Sequence, residues 1–576
     1  MSKQLKGWRY WLGLWAAFAF VSGTAIASSL DREKIEADLA LHEHVPGEAV
    51  VKLSVGKAAA NAKMLLSLDG VVEVKAFETD AKFFTIKSRE KSDLASLLLA
   101  IRENPAVEYA EPNYIYRTTQ VGDPVKISPT DPEFARLWGL SNQGQADANG
   151  QTGVVGADIG AVRAWDQATG SRDIVVGVID TGIDYNHPDL AANIYKNPGE
   201  SGNGKENNGI DDDANGFIDD HVGWNFAGVS TNNPMDDNSH GTHCAGTIGA
   251  VANNGIGVAG VAWNVRMMPI KFLTGGGSGT LADAVKSIQY ATLMNVNVMS
   301  NSWGGGGFSQ AMLDAINAAK AKGILFVAAA GNDGSNTDSS PQFPSSYQVD
   351  NVFAVAASDN RDQLASFSNF GKRSVLIAAP GVKIVSTLPN NAYGAYSGTS
   401  MAAPHVSGAA AVLWGANLGL GYIAVKNRLV NSRDPKGQFT RKIASSGRLN
   451  LYNALNEVYL PSNEPAETDW VNGDPITPIE SAHPYLDNQT QEWVIQGPAN
   501  AKFMRVRFAR YDLEMRYDFV RLSGADGAEI DLLSGVSTTP VYSWYASGNE
   551  IRVKFISDSS VTKWGFVIDG YQYIPQ

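Results

Sequence analysis

Three short segments hold residues whose types suit nucleophilic chemistry. Residues 176–182, VGVIDTG, run as an apolar strand into one carboxylate, Asp180. Residues 239–246, SHGTHCAG, put His240 at the head of a small-residue stretch, and residues 398–404, GTSMAAP, put Ser400 at the head of an apolar one. A serine hydroxyl is a weak nucleophile at neutral pH and needs a base within hydrogen-bond reach. Histidine suits that task because its ordinary pKa lies near ~6.5. A buried carboxylate fixes the imidazole tautomer and stabilises the imidazolium formed on proton transfer. The order Asp, His, Ser is one of the known convergent orders of such a triad. Taken singly, Asp180 could cap a strand end, His240 could be a buried structural histidine, and Ser400 could be a helix N-cap. Three such residues in order, each beside glycine, are harder to explain that way. A fourth segment, FVAAAGN at 326–332, ends in Asn332. Its amide, with the Ser400 backbone N–H, suits the developing oxyanion of acyl transfer.

These four segments resemble those of the subtilisin-like serine proteases (subtilases), over residues 136–457. The resemblance implies peptide hydrolysis through an acyl-enzyme. Asp180 would orient, His240 would act as base and then acid, Ser400 would attack, and Asn332 would hold the oxyanion. Ser302, Trp303 and Gly304 resemble the family strand that pairs with an extended substrate, their glycine allowing close backbone approach. Ala329, Ala330 and Gly331 would form one wall of the primary specificity pocket. Their small, uncharged side chains imply broad specificity with an apolar or aromatic residue before the cut. Cys244 after His243 resembles the proteinase K-like form of the motif; read by itself, it is a small buried hydrophobe. Met401, next to the nucleophile, implies sensitivity to peroxide.

Such residues need a rigid frame. Apolar runs at 174–178, 268–272, 296–299, 324–329, 352–356 and 375–379 alternate with helical spacing at 281–294, 310–322 and 401–413. That pattern predicts an α/β fold with a parallel sheet covered by helices on both faces. Sites in such sheets form at the carboxyl ends of the strands. Residues 46–117 read as strands around a helix, a small α+β domain resembling the family's inhibitory propeptide. Residues 118–135 read as a linker and maturation region, with self-cleavage expected between 116 and 130. Residues 458–477 form a second linker. Residues 478–576 alternate apolar and polar, as in Met504, Val506 and Phe508 against Arg505 and Arg507, and predict an all-β sandwich. Tyr511 to Glu514, Asp518 to Val520, Ser557-Asp558 and Gly565-Phe566 give it a CUB-like resemblance, without the CUB cysteines; a plain adhesion or stabilising module is the alternative.

Asp211, Asp213, Asn215, Gly216 and Asp219 spell D-x-D-x-N-G-x-x-D, with Phe217 in the same loop. This oxygen-rich spacing with glycine at the turn suits calcium. Val222 stands where an EF-hand would have glutamate, and a solvated acidic loop is the alternative. By resemblance alone, Asp189, Asn254, Ile256 and Val258 match the family's high-affinity calcium loop.

The 576 residues are too many for one core and suggest three or four folded units. A net charge of -13 speaks against nucleic acid, whose phosphates need a basic surface. A single cysteine cannot form an intrachain disulfide. Lys3, Lys6 and Arg9, an apolar run at 11–21 and Ala25-Ile26-Ala27 read as a secretory signal over residues 1–27. No later run approaches membrane length. The expected product is a secreted, extracellular monomer acting on proteins and peptides, with its own propeptide as intramolecular inhibitor. Two other readings are a proprotein-processing enzyme and a binding protein on a dead protease scaffold. His243, where processing enzymes favour Arg, weighs against the first, and the complete triad against the second.

Overall fold

The computed structural model describes residues 32, 34–36, 38–39, 44–54, 63–77, 82–89, 94–114, 128–462, 464–515 and 517–576. The secretory signal and residues 118–127 of the maturation region lie outside them. The chain forms two compact units, Met1–Pro124 and Val125–Gln576.

In the first unit, strands β1 (His44–Leu53), β2 (Val71–Ala76), β3 (Phe83–Ser88) and β4 (Val107–Tyr114) make an antiparallel sheet of order β2-β3-β1-β4, with helix α1 (Leu94–Arg102) between β3 and β4 in sequence. Ala49, Val51 and Leu53 alternate inward along β1, as the two-residue period of a strand requires. Leu94, Leu97, Leu98 and Ile101 fall on one stripe of α1. The strand and helix faces share one small core with Phe84 and Ile86.

The second unit begins with the α/β part. Its long elements are β5 (Gly170–Asp180), α2 (His240–Gly249), β6 (Asn264–Lys271), α3 (Leu281–Leu293), β7 (Val298–Asn301), α4 (Gln310–Ala321), β8 (Leu325–Ala329), β9 (Val352–Ser358), β10 (Ile377–Pro380) and α5 (Thr399–Ala416). The sheet runs β10-β9-β8-β7-β5-β6, all parallel, with two-residue strands added at both edges. Its strands are buried on both faces, so they read as unbroken apolar runs. One face packs Val176, Val178, Val298 and Val327 against Ala245 and Ile248 of α2 and Val406 and Ala409 of α5. The other packs Ile179, Met299, Phe326 and Ala328 against Ile288 of α3 and Ile316 of α4. The chain leaves β5 for β6 on one side and returns to β7 on the other, so the strand order reverses at β5. A crevice opens at the carboxyl ends of strands where the order reverses.

The remainder is all-β. β11 (Thr490–Gln496), β12 (Ala501–Asp512), β13 (Phe519–Gly524), β14 (Glu529–Leu533), β15 (Glu550–Ile556) and β16 (Gly565–Pro575) form two antiparallel sheets. One is built on the β12–β16 pair, and the other has order β11-β15-β13-β14. Val506, Phe508, Leu522, Val553, Phe555 and Phe566 fill the space between them. Among the described residues, no helix is long and apolar enough to cross a membrane.

Candidate active site

Asp180 ends β5, at the carboxyl edge of the sheet beside the reversal, and is fully buried. Its Oδ1 accepts the His240 Nδ1–H at 2.7 Å and the Thr181 N–H at 2.7 Å. His240 opens α2, and its imidazole is 27% exposed, enough for its far nitrogen to meet a substrate. Strand end and helix start are fastened by a residue that motif spacing did not reveal. Asp236 Oδ1 accepts the Thr181 hydroxyl (2.9 Å) and the N–H groups of Asn238 (2.9 Å) and Ser239 (3.0 Å). Its Oδ2 accepts the N–H (2.9 Å) and hydroxyl (2.6 Å) of Thr242. The Gly241 N–H in turn donates to Thr181 Oγ1 at 2.9 Å. Asp236 thus satisfies orphan donors of the helix start and holds Ser239 at φ 123, a conformation non-glycine residues avoid. A side chain at Gly241 would meet the Gly182 carbonyl at 2.0 Å, so only glycine lets α2 approach this closely. Lys271, opposite Asp180 in register on β6, adds a second clamp. Its buried ammonium donates to Thr181 O (2.6 Å), Leu273 O (2.8 Å) and Asp237 Oδ1 (2.6 Å).

Ser400 is the second residue of α5. Four residues on stands Pro404, which has no N–H, so the Ser400 carbonyl receives no helical hydrogen bond. That freed oxygen takes the Ser302 hydroxyl at 2.9 Å and the Cys244 thiol at 3.4 Å. The Ser400 hydroxyl donates to Ser302 O at 2.9 Å, making a reciprocal clasp between the helix start and the end of β7. The Cys244 sulfur also lies 4.0 Å from His240 Nδ1, so the thiol is packed between base and nucleophile. The structure brings Asp180 and His240 into a hydrogen bond, while the Ser400 hydroxyl faces Ser302 O instead of the imidazole. Catalytic hydrogen bonds often tighten only with substrate bound.

Asn332 lies three residues beyond β8. Its Oδ1 accepts the Thr399 N–H (2.9 Å) and hydroxyl (3.0 Å). The two donors fix the oxygen, so the NH2 end is the one left to face the site. A Cβ placed on Gly398 would lie 3.6 Å from Asn332 Nδ2 and 3.6 Å from Ser400 N. Those two donors therefore flank one point in space beside the nucleophile. Ser400 N belongs to the first helical turn, whose N–H groups have no partner within the helix.

A groove of about 630 Å³ runs from His240 between two glycine-rich walls, residues 277–281 and 302–309. Ser302, Trp303 and Gly304 line it, with Phe272, Leu281, Met312, Phe343 and Tyr347 supplying an apolar floor. Trp303 packs edge-on against Phe272 with ring centroids 4.7 Å apart. Ala329, Ala330 and Gly331 do not line this groove. Ala329 ends β8, and Ala330 and Gly331 follow it into the turn that carries Asn332, where the Gly331 N–H donates to Thr399 Oγ1 at 3.0 Å.

The imidazole of His240 is held above the ordinary histidine range. Burial opposes its charging, but the Asp180 carboxylate outweighs that cost. Burial pushes the Cys244 thiol up, so it stays neutral and serves as packing. His243, fully buried, is pushed down to about 3 by burial. It gives Nε2 to Ile384 O at 2.9 Å and stacks on Tyr396, a structural placement.

In the acidic loop, Asp211 and Asp213 come together with Glu200, which the motif did not include; their carboxylate oxygens lie within 4.8 Å of one another. Glu200 is fully buried and its Oε2 has no hydrogen-bond partner among the described residues, an uncompensated oxygen that a cation would satisfy. This all-oxygen set fits a hard divalent ion. Asn215 adjoins it, donating to Asp213 Oδ2 at 3.3 Å. Asp219 turns away and accepts the N–H groups of Asn208 (2.9 Å) and Gly209 (3.0 Å). Phe217 packs among Trp224, Phe226 and Tyr290. In the other loop, buried Asp189 accepts the Asn254 side-chain N–H (2.7 Å) and the Val258 N–H (2.9 Å), while Asn254 Oδ1 accepts the Ile256 N–H (3.0 Å). Buried Asp131 reaches the same loop, accepting the N–H groups of Asn253 (2.9 Å) and Asn254 (3.2 Å). Here the donor chemistry suits calcium, and every Asp189 oxygen already has an N–H partner. A further carboxylate cluster, Glu514, Asp518 and Asp558, lies in the C-terminal region, where Asp518 accepts the Tyr485 hydroxyl and the Asp558 N–H.

Comparison with known proteins gives the site its setting. The Subtilase family model (peptidase S8) matches residues 171–452, and the model for the fervidolysin N-terminal prodomain matches residues 32–113. The chain is 35% identical over 413 residues to the thermophilic serine proteinase of Bacillus sp. (strain AK1), covering 72% of this chain and 88% of that one. It is 36% identical over 297 residues to thermitase of Thermoactinomyces vulgaris, covering 52% of this chain and 93% of that one.

Proposed function

Because this chain belongs to the subtilase family and is a subtilisin-like serine endopeptidase with an N-terminal prodomain, we propose that it cleaves peptide bonds through an acyl-enzyme on Ser400. The carrying observation is the 2.7 Å bond between Asp180 and His240, set beside two donors that flank one point near Ser400. His240 takes the Ser400 proton as the oxygen attacks the scissile carbonyl, and Asp180 stabilises the imidazolium. The carbonyl oxygen, now negative, sits between Asn332 Nδ2 and Ser400 N. His240 then returns the proton to the leaving amine, and a water repeats the sequence to free the carboxylate product. A turn of the Ser400 side chain from Ser302 O toward His240 starts the cycle.

The substrate lies extended along Ser302, Trp303 and Gly304, pairing its main chain with theirs. Ala329, Ala330 and Gly331 lie outside that groove but adjoin Asn332, and their small, uncharged side chains present no charge near the residue before the cut, so specificity is broad with an apolar or aromatic preference. The prodomain serves as an intramolecular inhibitor until cleavage between residues 116 and 130, and the enzyme works outside the cell. Glu200, Asp211 and Asp213, with Asn215 adjoining, would hold a structural calcium, and Asp189, Asn254, Ile256 and Val258, with Asp131 nearby, would hold a second ion in place of their present N–H partners. The ion would supply positive charge to offset these carboxylates.

A peptide panel varied at the two residues before the cut tests the specificity. Phe and Leu peptides should outrun an Arg-Arg peptide in kcat/KM; a dibasic preference would favour a processing enzyme. Mass spectrometry of the exported product should find the new N-terminus between residues 116 and 130, and a mature chain still carrying the prodomain would contradict the maturation claim.

A further inference from the structure

The loop that carries Asn332 is tied to residues 369–374. Asn369 donates its side-chain N–H to Ala330 O (3.0 Å) and its backbone N–H to Gly331 O (2.9 Å). Its Oδ1 accepts the N–H groups of Asp333 (3.0 Å) and Ser335 (2.9 Å). Asn369 therefore grips the chain on both sides of Asn332. A side chain at Gly331 would strike Asn369 Nδ2 at 2.3 Å, so the grip leaves no slack. Further along, Thr337 N–H donates to Phe370 O (2.7 Å), and the Asp338 carboxylate accepts the N–H groups of Arg373 and Ser374.

The far end of residues 369–374 is held by chain that follows the catalytic part. The Arg373 guanidinium makes a two-pronged pair with Asp531 of β14, at 3.1 and 2.9 Å. Asp531 is 2% exposed and its oxygens also accept the N–H groups of Leu532 and Trp544 at 3.0 Å. The Trp544 ring lies 5.2 Å from the charged ends of both Lys372 and Arg373. Lys372, almost wholly buried, donates to Glu464 Oε1 at 2.8 Å, and Glu464 Oε2 accepts the Tyr545 hydroxyl at 2.6 Å.

We propose that the C-terminal β-sandwich is a working part of the protease: through Asp531, and with Glu464 of the linker that leads into it, it fixes residues 369–374, and through Asn369 that strap positions the Asn332 amide. Arg373 and Asp531 are positioning residues that touch no substrate. Asp531 is buried and the Arg373 side chain half-buried, so removing the carboxylate costs the guanidinium both prongs of the pair, which would release the strap. The inference rests on Asn332 being an oxyanion donor.

The test compares Asp531→Asn, Arg373→Lys and Asn332→Ala, alone and with Asn332→Ala added, in the full-length chain, well below each variant's melting point. Asp531→Asn should lower kcat roughly 3- to 30-fold, the span expected of coupling through a packed network, with KM nearly unchanged because the contact is made only in the transition state. Arg373→Lys, which keeps the charge and loses the fork, should lose less. In the Asn332→Ala background both losses should vanish. A wild-type kcat for Asp531→Asn, or a loss that multiplies undiminished onto Asn332→Ala, would overturn the proposal. If Asn332→Ala alone leaves kcat unchanged, the oxyanion assignment is what has failed.

Discussion

Asn332 Oδ1 accepts the Thr399 N–H at 2.9 Å, and this bond decides which end of the amide faces the nucleophile. Replacing Asn332 with Ala should lower kcat by about 10²–10³-fold with little change in KM, a magnitude taken from subtilisin itself. Gly398→Ala is the sharper probe. Its methyl would sit at ordinary contact distance from Asn332 Nδ2 and Ser400 N, and so should crowd an oxyanion bound between them. The expected result is a large loss of kcat/KM with an unchanged thermal midpoint; wild-type kcat/KM would mean the oxyanion lies elsewhere.

Activity and stability should respond oppositely to pH. His240 must be neutral to accept a proton, and its pKa is raised above the ordinary value. kcat/KM should therefore climb through an ionisation above ~6.5. A raised folded-state pKa gives stability that is full below the unfolded value and is lost as pH rises through the folded one. Asp180→Asn removes the negative charge, so the acid limb should move to lower pH while kcat falls by about 10⁴. A pH–rate profile of each enzyme checks both shifts.

The uncompensated Glu200 Oε2 makes calcium binding testable without substrate. Chelation should lower the thermal midpoint by roughly 5 °C or more and speed autolysis, since an ion that binds only the folded state stabilises it. Glu200→Gln should shrink the calcium-induced shift, whereas Asp219→Asn, facing away, should leave most of it. Equal shifts in all three proteins would remove Glu200 from the site.

Asp236 should matter without touching substrate. Asp236→Asn turns an acceptor-only carboxylate into an amide with one acceptor oxygen, and five donors converge on it. Both ends of the Asp180–His240 bond then loosen, and kcat should fall with a shifted acid limb. Loss of thermal stability alone, with the pH profile intact, would make Asp236 purely structural.

Much of this was legible in the sequence because it is local. Asp180 closes a strand, His240 and Ser400 open helices, Asn332 sits in the turn just after a strand, and glycines near them mark the close approaches. The unbroken apolar runs of β5, β7, β8 and β9 announce a sheet buried on both faces. What spacing could not show was built by distant pairing: Arg373 and Asp531 are 158 residues apart, and Asp131 and Asn253 are 122 apart. Glu200 lies outside the D-x-D-x-N-G run because its carboxylate reaches back over a loop. Asp219 fits the pattern but serves two backbone N–H groups, a competition that ligand spacing alone does not reveal.

The most direct test is labelling of the wild-type chain with a serine-directed fluorophosphonate, followed by peptide mapping. One label per molecule on Ser400, with peptide hydrolysis lost in step and neither labelling nor turnover in Ser400→Ala, is the predicted result. A label on another residue, or Ser400→Ala that still cleaves peptides at the wild-type rate, would contradict it.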